Sequence, residues 1–363
     1  MNISLNITPM SDWMPNKELP LLIAGPCSAE SEEQVLKAAH LIERDHRAMI
    51  FRAGLWKPRT RPNNFEGVGK EGLDWLARVK RETRLLTTTE VAKGEHVGQA
   101  IDAGVDILWI GARTTVNPFS VQEIADALRG HDIPVLVKNP INPDLQLWIG
   151  AIERINQAGI TKIGAIHRGF TPLSQSIYRN DPTWKIPVEL KRLIPELPII
   201  CDPSHIGGSR ELIEPIGQKA FDLQMEGLMI ETHPDPDNAL SDARQQVTPD
   251  RLSAILDTIV WRHPEAPNKN FATTLEQLRG EIDEIDEQMI NLLAQRMGLV
   301  EKIAEDKKRN NVTILQVSRY EQLLNDRIKK GERQSLNPEF VKAIFEQVHQ
   351  NSIRRQEVIM NAV

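Results

Sequence analysis

Residues 107–138 read ILWIGARTTVNPFSVQEIADALRGHDIPVLVK, and the order of patterns within them decides the fold. Ile107 to Gly111 is a short apolar run that predicts a strand, and Pro134 to Val137 is a second one. Between them Ser120 to Leu128 carries the three-and-four spacing of an amphipathic helix. Strand, helix and strand in alternation predict βα units around a parallel sheet. Each strand is followed by a cation, Arg113 after the first and Lys138 after the second.

Working outward, the same apolar runs recur at Leu21 to Ala24, Ala48 to Phe51, Leu85 to Thr89, Ile160 to Ile166, Pro198 to Cys201 and Gly227 to Ile230. Helical patterns fill most gaps, as at Ser31 to Arg44, Gly72 to Lys80 and Leu145 to Gln157. Eight units predict a closed α/β structure, a (β/α)8 TIM barrel, although an open doubly wound sheet uses the same alternation.

After Trp261 the texture changes. The segment 263–274, HPEAPNKNFATT, has two prolines and little apolar periodicity, which predicts a linker. From Leu275 to Ile303 the apolar positions mostly step by three and four, giving one long amphipathic helix of about 50 Å. Such a helix needs a bundle or a partner chain. Two more helices are expected, Ser318 to Lys330 and Pro338 to Met360. The expected organisation is therefore a barrel over 1–262, a linker over 263–274 and an all-helical domain over 275–363.

With 363 residues, 40% hydrophobic and 26% charged, the chain has the composition of a soluble protein with a full core. The first residues lack the basic and apolar regions of a signal peptide, and no stretch reaches the roughly 18 apolar residues needed to span a bilayer. A cytoplasmic location, away from membranes, is expected. Two cysteines, Cys27 and Cys201, make a disulfide framework improbable. A net charge of -6 argues against nucleic acid as a partner, so any anionic ligand must be met by locally gathered cations.

Active sites of such barrels gather at the C-terminal strand ends. Those ends carry Cys27, Arg52 with Lys57, Glu90, Arg113, Lys138, Arg168, His205 and Glu231. Five cations on one face of an acidic chain predict a site for a multiply charged anion. Taken singly, each could equally be a solvated loop charge. Cys27, His205, Glu231 and Asp242 form a second constellation, one soft ligand with three harder ones. That mixture suits manganese, iron, cobalt or zinc better than magnesium or calcium. His233, two residues beyond Glu231, is the rival ligand on the same strand face.

Five motifs in order carry a resemblance. They are Gly25-Pro26-Cys27-Ser28, Lys57-Pro58-Arg59-Thr60, Gly111-Ala112-Arg113-Thr114, Asp202-Pro203-Ser204-His205, and the run from Glu231 to Asp242. Together, from about Leu21 to Leu256, they resemble 3-deoxy-D-arabino-heptulosonate 7-phosphate (DAHP) synthase. The resemblance implies Cys27, His205, Glu231 and Asp242 as ligands of a divalent metal, with manganese placed first. It implies Arg52, Lys57, Arg113, Lys138 and Arg168 around phosphoenolpyruvate, and Arg59 and Thr60 for erythrose 4-phosphate. Lys57 or Glu90 would move the proton. The related 3-deoxy-D-manno-octulosonate 8-phosphate synthase is the alternative, but it generally reads Lys-Ala-Asn-Arg where this chain has Lys-Pro-Arg-Thr.

On the long helix, Arg279, Arg296 and Lys307 fall close to one stripe if the helix supercoils, but they span about 42 Å. Only a second chain could bring them to one ligand; the plainer reading is exposed surface charge. Leu275 to Met360, however, resembles an all-helical chorismate mutase. That implies Arg279 of one chain with Arg296, Lys307, Arg319 and Gln356 of another around chorismate or prephenate, in a homodimer or larger assembly. Gln316 stands where an Asp is common, and Tyr320 where a Glu often binds the substrate hydroxyl, although Tyr320 can still donate or accept a hydrogen bond. Those departures keep an alternative open, a non-catalytic module for dimerisation and sensing. The fusion itself suggests feedback control of the barrel by prephenate or chorismate.

Overall fold

The structure, a computed structural model, describes residues 4–14, 20–57, 65–172, 174–262 and 269–362. It divides into two compact units, Met1–Pro264 and Glu265–Val363. Among the described residues no helix is long and apolar enough to cross a membrane.

The first unit is a closed barrel of eight parallel strands in chain order. They are β1 (Leu21–Gly25), β2 (Ile50–Arg52), β3 (Leu86–Val91), β4 (Ile107–Ile110), β5 (Val135–Lys138), β6 (Ile163–His167), β7 (Ile199–Cys201) and β8 (Gly227–Glu231). Ile23 pairs with Ile50 on one side, and β8 closes the ring where Gly25 pairs with Glu231. The open-sheet alternative is therefore excluded.

Helices follow the strands: α1 (Glu32–Glu43), α2 (Glu71–Glu82), α3 (Gly94–Asp102), α4 (Ala112–Thr115), α5 (Pro118–Ala127), α6 (Leu145–Gln157), α7 (Lys185–Leu193), α8 (Pro203–Gly207), α9 (Ile213–Asp222) and α10 (Pro249–Thr258). The expected helix at Ser120 starts two residues earlier. Asn117 accepts a bond from the Phe119 amide, and Pro118 suits the first turn.

Alternation along the strands makes two apolar layers. One lies between strands and helices; the other fills the barrel with Leu21, Ile23, Ile50, Ile107, Trp109, Leu136, Ile166, Ile200 and Met229. Met10, Trp13 and Met14 pack against the inner layer. Two residues beyond Ile50, Leu136, Ile166 and Met229 come Arg52, Lys138, Arg168 and Glu231. The period of two that buries the core thus aims these charges into the barrel mouth. Gly25, at φ +144°, is required here, because a Cβ would strike the Arg52 backbone oxygen.

The second unit contains α11 (Lys269–Arg309), α12 (Val317–Arg333) and α13 (Pro338–Asn361). Helix α11 has 41 residues, about 60 Å of rise. It begins at Lys269, so the last six positions of the expected linker are helical, and 263–268 lie outside the described residues. Phe271, Ala272 and the two threonines that follow do not break a helix, and the prolines that do end at Pro267. Val300, Ala304 and Val341 are buried within the unit. By contrast Leu278, Ile282, Ile285, Met289 and Leu292 form a stripe about half exposed along α11.

Candidate active sites

At the barrel mouth, β1 delivers Cys27, β8 delivers Glu231, and the loop beyond β8 delivers Asp242; their ligand atoms all lie within 4.8 Å of one another. Cys27 Sγ donates to Asp242 Oδ2 at 3.3 Å, and Lys57 Nζ donates to the same sulfur at 3.2 Å. Burial, with Glu231 and Asp242 adding to it against Lys57 and Arg52, pushes the thiol up to about 12. His205 stands at the edge of this trio, its Nε2 3.7 Å from Glu231 Oε1 and its Nδ1 2.9 Å from Asp202 Oδ2. Glu231 Oε1 is buried without a hydrogen-bond partner. A thiol, an imidazole and two carboxylates could hold a borderline divalent cation. His233, the rival, turns elsewhere: its Nδ1 accepts from the Asp235 amide at 2.9 Å and its Nε2 faces Glu30 Oε2 at 3.5 Å.

The cations gather beside this cluster. Arg52 is 1% exposed, with Nη2 3.2 Å from Glu231 Oε1, while its Nε and Nη1 are buried and make no hydrogen bond. Burial disfavours its charge, but Glu231 and Asp202 outweigh that and hold it protonated. Lys138 Nζ donates to Asp202 Oδ2 at 2.8 Å. Burial pulls this lysine below its ordinary value, and Asp202 opposes the shift. Trp109 lies beneath both cations, 5.0 Å from the Arg52 guanidinium carbon and 5.8 Å from Lys138 Nζ. Arg168 donates through Nη1 to Asn180 Oδ1 at 2.7 Å, and burial lowers it to about 10.

Lys57 is half-buried, and Arg113 is exposed on α4. Glu90, next to last in β3, lies so close to Gly111 that a Cβ there would strike its carboxylate. Its charge favours the protonated forms of both Arg52 and Lys138. Arg59 and Thr60 lie outside the described residues.

Several polar groups of the site were given no role from the sequence, although Asp202 and Ser204 lie within a quoted motif. Asp202, fully buried, receives Lys138 and His205 and caps α8 through the His205 amide at 3.1 Å. Burial would raise its pKa, but His205, Lys138 and Arg52 hold it well below the usual carboxylate range. It immediately follows β7, so the strand-end rule points to it. Asn139, next after Lys138, accepts from the Arg168 amide at 2.7 Å. Gln246 accepts from the Cys27 amide at 2.9 Å, and Ser204 Oγ accepts from the Glu231 amide at 3.0 Å. Arg179, Asn180, Gln245 and Gln246 sit on loops away from strand ends, where no periodicity marks them.

In the helical unit, Arg296 Nη1 donates to Ser352 Oγ at 2.7 Å, and Gln356 Nε2 donates to the Ser352 carbonyl at 3.4 Å. Gln356 Oε1 is buried without a partner. Lys307 Nζ donates to the Ile314 carbonyl at 2.5 Å. Tyr320 stacks on His349, ring centroids 4.1 Å apart, and His349 is lowered by burial, then by Arg296 and Lys307. Arg296, Lys307 and Gln356 thus share one polar region with these rings. Arg319 is exposed, and Gln316 precedes α12 without bonding its amides through the side chain. Arg279 is also exposed, its Nη1 3.6 Å from Glu276 on the same helix. It stands about 25 Å along α11 from Arg296.

Comparison with known proteins finds a family for each unit. Residues 6–266 match the DAHP synthetase I family, and residues 278–357 match chorismate mutase type II. Phospho-2-dehydro-3-deoxyheptonate aldolase of Thermotoga maritima is 33% identical over 226 residues, covering 62% of this chain and 64% of that protein. The chain thus spans less than two thirds of that relative. A 2-dehydro-3-deoxyphosphooctonate aldolase of Desulfotalea psychrophila is 29% identical over 263 residues, 66% of this chain and 88% of that protein. The crystal structure of the Thermotoga maritima DAHP synthase superposes with a TM-score of 0.60 at 29% identity, covering 66% of this chain and 68% of that one. The chain belongs to the DAHP synthetase I family and carries a chorismate mutase type II domain at its C-terminus.

Proposed function

We propose that the barrel condenses phosphoenolpyruvate with erythrose 4-phosphate to give DAHP and phosphate, and that the helical unit rearranges chorismate to prephenate. The observation that carries the barrel reading is the buried Arg52, whose free Nε and Nη1 stand beside the Cys27, Glu231 and Asp242 cluster. A guanidinium with unused donors in a dry site asks for an anion. Arg52, Lys57, Arg113, Lys138 and Arg168 would grip the carboxylate and phosphate of phosphoenolpyruvate, and Arg59 and Thr60 the aldose phosphate.

Cys27, His205, Glu231 and Asp242 would hold a divalent ion, manganese first, which supplies Lewis-acid polarisation of the aldehyde oxygen when bound. C3 of phosphoenolpyruvate attacks the aldehyde carbon, charge develops at C2, water adds there, and phosphate leaves. The cations stabilise that charge without reorganising. Lys57 or Glu90 would move the proton.

In the helical unit Arg279 of a second copy, with Arg296 and Arg319, would pair with the two carboxylates, while Lys307 and Gln356 would bond the ether oxygen as the carbon–oxygen bond breaks. The half-exposed stripe of α11 supports a homodimer, since a second helix would cover it. Control of the barrel by prephenate or chorismate completes the proposal.

The deciding assay is phosphate release by the purified full chain. It should require erythrose 4-phosphate and vanish with a chelator. Equal or faster turnover of arabinose 5-phosphate would instead favour the octulosonate reaction named by the relatives near 29% identity.

A further inference from the structure

Beyond β6 the chain leaves the barrel and returns at Tyr178 to Asp181, where its backbone is tied on both sides. Phe170 and Asp181 exchange two hydrogen bonds of 2.8 Å, while the Arg179 and Asn180 amides donate to the Gly207 and Ile206 carbonyls at 3.3 and 3.1 Å. Gly169, at φ +76°, allows this approach, because a Cβ would lie 2.7 Å from the Asn180 oxygen. Two consecutive side chains are thereby held in fixed places.

Asn180 Oδ1 accepts from Arg168 Nη1 at 2.7 Å, and its Nδ2 donates to the His205 carbonyl at 2.6 Å. Arg179 Nη1 donates to Asp242 Oδ1 at 2.9 Å and to Gln245 Oε1 at 2.5 Å. Gln245 Nε2 in turn donates to Glu231 Oε2 at 2.6 Å. Each carboxylate of the cluster therefore has one oxygen tied back to this unit. The other oxygen faces the cluster: Asp242 Oδ2 accepts from Cys27, and Glu231 Oε1 lies 3.7 Å from His205 Nε2 and 3.2 Å from Arg52 Nη2. Asp242 also holds a left-handed backbone, φ +48°, which a side-chain tether helps to maintain.

We infer that Arg179 and Asn180 are a pair of positioning residues that set the carboxylates of the metal cluster in register with the anion-holding Arg168, so that divalent-cation and phosphoenolpyruvate affinities are coupled. This rests on the reading of the cluster as a metal site and of Arg168 as an anion site. Arg179 orients ligands without touching the ion, and residues in that role typically govern metal affinity by about 10–100-fold. Its Nη1 serves both acceptors from a planar, delocalised guanidinium, whereas lysine offers a compact, strongly hydrated ammonium on a flexible stem.

The test titrates the metal-free full chain with Mn2+ against a competing chelator, and separately measures phosphoenolpyruvate binding with and without Mn2+. Arg179→Gln should weaken Mn2+ by about 10–100-fold, with Arg179→Lys between it and the parent. Asn180→Ala should leave Mn2+ within about 3-fold yet weaken phosphoenolpyruvate, and in both variants the gain in phosphoenolpyruvate affinity on adding Mn2+ should shrink. Asn180→Ser and Arg179→Lys serve where the harsher variants do not fold. Parental Mn2+ affinity in Arg179→Gln, or a parental Mn2+ effect on phosphoenolpyruvate in Asn180→Ala, would overturn the inference. If the parent itself binds no Mn2+ in a Cys27-dependent way, the metal reading fails first and takes the inference with it.

Discussion

Lys57 Nζ lies 3.2 Å from Cys27 Sγ and donates to it, although the two residues come from different strand ends. A thiol this deeply buried and this near two carboxylates resists ionisation, standing up to about 12, and a bound cation would reverse that preference. Cys27→Ala should therefore release the metal. Metal content after gel filtration should fall with metal-dependent turnover, by more than the roughly 10–100-fold typical of residues that only orient ligands. Full metal content and rate in Cys27→Ala would remove it from the ligand set.

Arg52 and Glu231 pose a stability question separate from catalysis. They are 1% and 0% exposed and 3.2 Å apart. Removing one partner of such a pair leaves a buried charge uncompensated, a loss of about 3–5 kcal/mol. Arg52→Ala should accordingly unfold at clearly lower urea than the parent in the barrel transition, whereas exposed Arg84→Ala should not. An unchanged midpoint for Arg52→Ala would mean that Glu231 finds other compensation.

Far from the mouth, Arg47 grips Asp45 through Nε and Nη2 at 2.8 and 2.6 Å, and Ser253 Oγ donates to the same carboxylate at 2.7 Å. The Arg47 hydrogen bond leads in holding Asp45 down to about 2, against 3.8 ordinarily. A depressed carboxyl adds stability above its unfolded pKa and loses it as pH falls through the folded one. The stability gap between the parent and Asp45→Asn should thus stay flat from pH 7 to about 5 and close between about pH 4 and 2. Partial solvent screening limits the gap to about 1 kcal/mol. A gap that widens toward acid would contradict the assignment.

The strands were legible because they are short apolar runs buried mostly on both faces, and the charged strand ends because a period of two carries the inward face from Ile50 to Arg52 and from Leu136 to Lys138. The residues that orient the site were less legible. Arg179 and Asn180 lie in a loop whose path is set by tertiary pairing with Phe170 and Gly207, and no local pattern encodes that. The start of α11 was misplaced for a different reason. Phe271 to Thr274 lack amphipathic spacing, yet helix formation propagates once nucleated, so α11 extends back to Lys269. In the mutase region Tyr320 stood out as a departure, but its stacking partner His349, one helix away, did not.

Prephenate should inhibit the barrel through the helical unit. Partial burial disfavours the charges of Arg296 and Lys307, and Arg327 adds repulsion on Arg296, so the free site holds cations that an anion would relieve. A dicarboxylate bound there favours whichever arrangement of the chain best presents those cations, and it can shift the barrel only by its differential affinity for that arrangement. Coupling of about 1–3 kcal/mol corresponds to roughly 5–150-fold in phosphoenolpyruvate affinity, and linkage requires the reverse effect of phosphoenolpyruvate on prephenate binding. Phosphoenolpyruvate consumption by the full chain should fall with prephenate. Arg296→Ala should lose both chorismate conversion and this inhibition while keeping barrel turnover, and a chain ending at Arg262 should be equally insensitive. Inhibition that persists in both, or that is absent from the full chain at saturating prephenate, would separate the two activities and leave the fusion without a regulatory role.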